Sequence, residues 1–160
     1  MSLHVVMGVS GCGKSSVASA LASATGGDFL DADDYHPPAN KAKMAAGIPL
    51  QDEDRVGWLN RLNEELKKRA GNGRKTFLAC SALRQSYRDR LAAELPSLQF
   101  IYLKGSSEAI RSRLKGRRDH FMPSTLLESQ FAILEEPTDA ITISLEQPLD
   151  SVVAEILGRI

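Results

Sequence analysis

Short strand-like runs alternate along the chain with longer segments whose apolar residues recur every three or four positions. Leu3–Met7, Thr76–Cys80, Leu98–Leu103 and Ala140–Ser144 are of the first kind, and the shorter Asp28–Asp31 reads with them. Such runs suit strands buried on both faces of a parallel sheet. Lys14–Ala24, Pro37–Gly47, Asp52–Ala70, Arg84–Leu95, Ser107–Lys115, Ser124–Glu135 and Leu149–Leu157 are of the second kind and predict helices. In 52–70, Val56, Leu59, Leu62, Leu66 and Ala70 keep one face apolar until Gly71-Asn72-Gly73 stops it. The polar run Arg117–Pro123 reads as irregular. Strands alternating with helices predict an α/β fold, a five-stranded parallel sheet covered on both faces in three layers. No repeat, low-complexity tract or linker divides residues 1–160, so a single domain is expected.

Composition changes this picture mainly by exclusion. A chain of 160 residues can build a core without metal or disulfide staples. Lys plus Arg and Asp plus Glu number 20 each, so no overall field favours nucleic acid or an anionic membrane, and neither is expected as a partner. An anion must then be captured by local chemistry. Cys12 and Cys80 read as reduced thiols. The apolar run before Gly8 is too short for a signal peptide, and no stretch approaches the ~20 residues that cross a bilayer. The expected compartment is the cytoplasm.

The local chemistry begins at Gly8-Val9-Ser10-Gly11-Cys12-Gly13-Lys14-Ser15, which fills the pattern G-x-x-x-x-G-K-[ST] between a predicted strand and a predicted helix. Glycines let the backbone approach phosphates closely, and successive N–H groups with the positive end of the helix complete an anion site. Gly8 through Ser16 are the expected nucleotide contacts, with Lys14 on the β- and γ-phosphates and Ser15 on Mg²⁺. Cys12 reads as a small filler, since no base lies beside it in sequence.

A guanine-specific switch would carry Asn-Lys-x-Asp, but Asn40-Lys41-Ala42-Lys43 lacks the aspartate. An ATP-driven machine usually ends a strand in a metal-holding acid, but the third strand ends Ala79-Cys80-Ser81. A kinase for a small molecule is left. The second strand runs into Asp31-Ala32-Asp33-Asp34, where Mg²⁺ and an acceptor hydroxyl must meet. Asp31 is assigned to the Mg²⁺ shell and Asp33 to the acceptor hydroxyl as a holding or deprotonating group. Asp34 reads as a helix cap. Arg111, Arg113, Lys115, Arg117 and Arg118 supply cations ahead of His120. Arg111 and Lys115 suit a solvated helix face. Arg113 and Arg117 are assigned to the nucleotide, Arg117 catalytically, from a small lid over the γ-phosphate.

Further runs carry a family resemblance. Asp31-Ala32-Asp33-Asp34-Tyr35-His36-Pro37, Asn40, Lys43-Met44, Gly47-Ile48-Pro49-Leu50, Asp52-Glu53-Asp54-Arg55 and Trp58-Leu59 resemble the gluconate kinase signature. So do Cys80-Ser81-Ala82-Leu83, Tyr87-Arg88-Asp89, Tyr102-Leu103-Lys104-Gly105, Arg113-Leu114, His120-Phe121, Gln130 and Leu134-Glu135-Glu136-Pro137. The resemblance implies transfer of the γ-phosphoryl of ATP to D-gluconate, a phosphate-loop fold of the nucleoside-monophosphate-kinase type, and a homodimer. Gluconate's carboxylate wants a cation, and the fork of Arg55 is the best candidate. Its hydroxyls want donors and acceptors such as Asp33, His36, Ser81 and Gln130, with Lys43, Arg84 and His120 completing the expected pocket. Trp58 reads as core or pocket wall, and His4 as structural or exposed. Relatives often carry Lys where this chain has Arg84, and a Phe or basic residue where Met122-Pro123 follows His120-Phe121. A shikimate kinase would carry a glycine triplet in place of Ser81-Ala82-Leu83. A nucleotide sensor without catalysis is the reading from a different class.

Overall fold

The computed structural model describes residues 2–115 and 124–160, with side chains described for 2–112 and 127–160. Its elements run β1 (Leu3–Met7), α1 (Lys14–Thr25), β2 (Asp28–Asp31), a 3-10 turn (Ala32–Tyr35), α2 (Pro38–Ala45), α3 (Asp52–Arg69), β3 (Thr76–Ala79), α4 (Gln85–Leu91), β4 (Gln99–Lys104), α5 (Ser107–Lys115), α6 (Ser124–Ile133), β5 (Ile141–Ser144) and α7 (Leu149–Leu157). The strands form one five-stranded sheet in the order β2-β3-β1-β4-β5. Every pairing is parallel: Val5 registers with Leu78 and Phe100, Leu30 with Leu78, and Leu103 with Ile143. The expected five strands and two covered faces are thus present.

Because side chains alternate across a strand, the central strands feed two cores. Val6, Phe77, Ala79, Ile101 and Leu103 face one side, where Val17 and Leu21 of α1 and Val152 and Ile156 of α7 pack. Leu3, Val5, Met7, Leu78 and Tyr102 face the other, against Trp58, Leu59, Leu62 and Leu66 of α3 and Leu91 of α4. All five residues of β1 are buried, as its central place requires. His4 is buried and stacked on Phe77, a structural residue.

Several boundaries shift from expectation, most of them by one or two residues, and some shifts have a plain physical reason. Helix α4 ends at Leu91 rather than near Leu95, because Glu94 takes a left-handed φ of 62° that no helix continues. Helix α3 ends at Arg69, with Ala70 extended and Gly71 left-handed, so the glycines stand just past the helix. The chain after β2 enters the 3-10 turn, not a loop leading straight into α2.

At the start of β2 the backbone passes close to the residue that leads into β3: the Asp28 N–H donates to the Lys75 carbonyl at 2.7 Å. A Cβ on Gly27 would lie 2.2 Å from that carbonyl oxygen. Gly57, in α3, would meet nothing within 4 Å. Gly27→Ala should therefore lose about 1–3 kcal/mol by overpacking, a Tm drop of roughly 3–10 °C. Gly57→Ala should gain about 0.5–1 kcal/mol from helix propensity. Calorimetric melting separates them, and a Gly27→Ala protein as stable as its parent would refute the close approach.

Candidate active site

In an all-parallel sheet the carboxyl ends of all strands lie on one edge, where ligands of open α/β sheets bind. Here that edge collects the loop after β1, the turn after β2 and the Ser81–Arg84 segment after β3. The loop Gly8–Gly13 is held by few internal bonds. The Gly8 N–H donates to the Ser81 carbonyl (3.3 Å), and the Cys12 N–H to the Val9 carbonyl (3.3 Å). Gly8 has φ +151°, and a Cβ there would stand 2.8 Å from Cys12 Sγ and 3.0 Å from the Leu103 carbonyl oxygen, so only glycine fits. Cys12 is fully buried, which agrees with a filler. Helix α1 begins with Gly13 in a left-handed conformation, without a side-chain cap and without an acid in its first turn. Its orphan N–H groups face the edge with nothing to compete against an anion. Lys14 Nζ rests on the Val9 carbonyl at 3.3 Å, folded back over the loop.

The acidic side of the edge is set by the 3-10 turn. Asp31 caps it, Oδ1 accepting from the Asp33 N–H at 3.0 Å, while Oδ2 lies 3.5 Å from Ser15 Oγ. Among the described residues no three His, Cys, Asp or Glu side chains converge as a metal cluster. Ser15 and Asp31 together offer two hard oxygens, the kind of partial shell that a small divalent cation completes with water and phosphate oxygens. Asp33 projects into the cleft, its side chain 72% exposed. Partial desolvation in the cleft, and then the Asp31 and Asp34 charges, raise its carboxyl above the ordinary value, against the pull of Lys14.

Beneath this turn lies a buried aromatic support. The Trp58 indole N–H donates to the Ala32 carbonyl at 2.8 Å, and its ring stacks on His36 at 4.1 Å and 15°. The Asn40 amide nitrogen donates to the Asp54 carbonyl (2.8 Å), which fixes its orientation, and its second hydrogen meets His36 Nδ1 (3.2 Å). His36 therefore accepts at Nδ1 and carries its proton on Nε2, 3.8 Å from Asp33 Oδ1. Burial, then the Arg55 and Lys41 charges, push its pKa down to about 4, so the ring is neutral near pH 7. Asp34, expected as a cap, lies inside the 3-10 turn. Asp31 caps that turn, and Pro37 precedes α2 without a side-chain cap.

The cationic side comes from the start of α3 and of α4. Arg55 Nη1 donates to the Tyr87 hydroxyl at 3.0 Å, its guanidinium 5.2 Å above that ring, and Tyr87 donates in turn to Asp52 Oδ1 at 2.5 Å. Arg84 stands at the N-terminus of α4, its Nε buried without a hydrogen-bond partner. Lys43 is engaged elsewhere: its ammonium bridges both Asp54 oxygens at 2.9 and 3.0 Å, tying α2 to the capping box of α3. The Lys43 bridge and the Gln51 N–H hold the Asp54 carboxyl below its ordinary value, the backbone bond first.

Gln130, read as a partner for substrate hydroxyls, spends both ends of its amide on the phosphate loop. Oε1 accepts from the Ser10 N–H at 2.6 Å, and Nε2 donates to Ser10 Oγ at 2.7 Å. The Arg113 side chain and all of Arg117, Arg118 and His120 lie outside the described residues. The sequence reading left Tyr87, Asn40 and the Arg88–Glu135 pair without roles. Arg88 is buried and joins the Ala82 carbonyl to the Glu135 carbonyl, and Glu135 caps the Gln85 N–H. The Asp52–Tyr87 contact, 35 residues apart, had no local signal.

Residues 3–137 match the family model described as an AAA domain. The chain is 45% identical to the thermoresistant gluconokinase of Escherichia coli (strain K12), over 97% of this chain and 91% of that one. The crystal structure of a gluconokinase from Sinorhizobium meliloti 1021 superposes with a TM-score of 0.90 at 43% identity, covering 98% of this chain and 90% of that one. A Mycobacterium tuberculosis APS kinase in complex with AMPPNP and APS shares only the fold, with a TM-score of 0.70 at 17% identity over 98% of this chain and 96% of that one. With 45% and 43% identity to these gluconokinases over nearly the whole of each chain, the chain belongs to the gluconokinase family.

Proposed function

We propose that this protein is an ATP-dependent gluconokinase, transferring the γ-phosphoryl group to the 6-hydroxyl of D-gluconate and releasing 6-phospho-D-gluconate and ADP for gluconate catabolism. The observation that carries the reading is one edge of the sheet that brings together an uncapped phosphate loop, two carboxylates and the cations Arg55 and Arg84, in a chain of gluconokinase family membership. Those three kinds of group match the chemistry of the substrate pair: polyphosphate, reacting hydroxyl and the polyol's terminal carboxylate. No helix among the described residues is long and apolar enough to cross a membrane. The family resemblance further supports a homodimer working in the cytoplasm as a single domain, with no nucleic acid or membrane partner.

In this reading the loop N–H groups and Lys14 bind the β- and γ-phosphates, Lys14 leaving the Val9 carbonyl to do so. Ser15 and Asp31 would hold Mg²⁺, which when bound would supply charge neutralisation to the phosphates. Asp33 orients the 6-hydroxyl for in-line attack and takes its proton as the new P–O bond forms and the bond to ADP breaks. Its raised pKa suits that proton-accepting role. His36, stacked and neutral, presents Nε2–H toward Asp33 and acts as its support. Arg55 and Arg84 take the carboxylate, Tyr87 holding the Arg55 fork in place. Arg117 is assigned to the transferring phosphoryl from its sequence position alone.

The primary test is coupled ADP release with gluconate, shikimate and nucleoside monophosphates in parallel. Gluconate alone should accelerate it; a flat response to all of them would sink the kinase reading. In Asp33→Asn, ATP affinity should stay within about twofold while turnover falls at least ~100-fold, the scale of a positioned proton acceptor. Unaltered turnover would remove Asp33 from the mechanism. Arg55→Met should raise the gluconate KM by about 10- to 100-fold, as loss of a charge-assisted fork does, leaving the ATP KM nearly unmoved. A gluconate KM equal to the parent's would place the carboxylate elsewhere.

A further inference from the structure

The phosphate loop is a poor spring. Gly8, Gly11 and Gly13 all have positive φ, and glycine backbone retains more freedom than any other residue unless something outside restrains it. The restraint at its start is the Gly8 N–H on the Ser81 carbonyl. The restraint at its end is helix α1. Between them the Gln130 side chain, 120 residues away in sequence, ties the loop at Ser10.

That tie is two-pronged, and its direction is fixed by chemistry. A backbone N–H can only donate, so the amide oxygen of Gln130 must face Ser10 N, which leaves the amide nitrogen to donate to Ser10 Oγ. The contacts, 2.6 and 2.7 Å, grip one residue from its main chain and its side chain at once. The platform behind Gln130 is rigid. Leu127, one turn before it, is 1% exposed in the core, and Phe131 packs on that core. Just after α6, the Glu135 N–H donates to the Leu83 carbonyl at 2.8 Å, and Arg88 Nη2 donates to the Glu135 carbonyl at 2.7 Å. Gln130 therefore transmits the position of a bolted helix to the middle of a glycine loop.

We propose that Gln130 is a positioning residue for nucleotide binding: it holds Ser10 so that the neighbouring loop N–H groups are preorganised for the phosphates, and it does not touch the acceptor. Affinity gained by preorganisation is lost when the restraint is removed, even though no contact to the ligand is deleted. The inference rests on the reading of Gly8–Ser15 as the ATP phosphate site.

The test is a kinetic cycle on Gln130→Met, Ser10→Ala and the double variant, with melting temperatures recorded for each. Methionine keeps the length of the side chain and removes both hydrogen bonds; alanine at position 10 removes one of them. Gln130→Met should raise the ATP KM by about 5- to 30-fold, the equivalent of one to two neutral hydrogen bonds. The gluconate KM should stay within twofold and Tm within a few degrees. Ser10→Ala should raise the ATP KM at least twofold, and the double variant should be no worse than Gln130→Met alone. An ATP KM within twofold of the parent in Gln130→Met overturns the proposal. So does a rise confined to the gluconate KM, which would return Gln130 to the acceptor pocket, or single effects that simply multiply. If Gln130→Met does not fold, Ser10→Ala decides: an unmoved ATP KM overturns the proposal. A parent enzyme that phosphorylates no gluconate would instead refute the functional reading, so the two failures are distinct.

Discussion

A strand that pairs in parallel with its neighbour cannot reach it by a tight turn; the chain must cross over the sheet and begin again at the same end. With all five strands parallel, every strand here finishes on one edge, and each finishing segment becomes a candidate for chemistry. The loop after β1, the 3-10 turn after β2 and the Ser81–Arg84 segment after β3 are neighbours for that reason alone. The order β2-β3-β1 puts the acidic turn two strands from the phosphate loop, and Ser15 at the start of α1 still comes within 3.5 Å of Asp31.

Within that edge, the contrast between helix starts shows which charges are committed. Helix α3 opens with Asp52, Glu53 and Asp54, and Asp54 Oδ2 accepts from the Gln51 N–H at 2.8 Å, so carboxylates already occupy the positive end of this helix. Helix α1 opens with glycine and lysine and has no cap at all. The same distinction sorts the cations. Lys43 is bound by Asp54, and Arg88 is buried on backbone carbonyls. Among the described residues Lys14 rests on a carbonyl, while Arg55 meets the Tyr87 phenol at 3.0 Å and pairs with the exposed Asp52 carboxylate at 3.9 Å. Cations held by a neutral partner or by a long, exposed ion pair exchange them for an anionic ligand more readily than one gripped by both oxygens of a carboxylate.

The buried supports explain why so few residues near the cleft face it directly. Trp58 and His36 spend their surfaces on each other, yet they set where Asp33 stands. Cys80 lies under the same region with its thiol pushed up to about 12 by burial, so it packs and does not react.

Short apolar runs and a 3.6-residue periodicity determined the five strands and seven helices of the described residues, since both are local properties that survive without knowledge of neighbours. The phosphate loop was equally legible, because its conformation depends on glycines adjacent in sequence. Asp31 and Asp33 followed from their place after a strand. What could not be read locally were the partners. Gln130 was read as facing a sugar, and in this structure it bonds Ser10. Lys43 was read as a ligand, and here it bridges to Asp54. Asp34 was read as a cap, where Asp31 does that work. A polar side chain's role is decided by the group that satisfies it, and here those groups lie 120 and 11 residues away for Gln130 and Lys43. The sequence by itself determined where phosphate could bind; only the tertiary structure decided which polar residues were left to face the substrate, because burial and hydrogen-bond satisfaction are settled between elements and not within them.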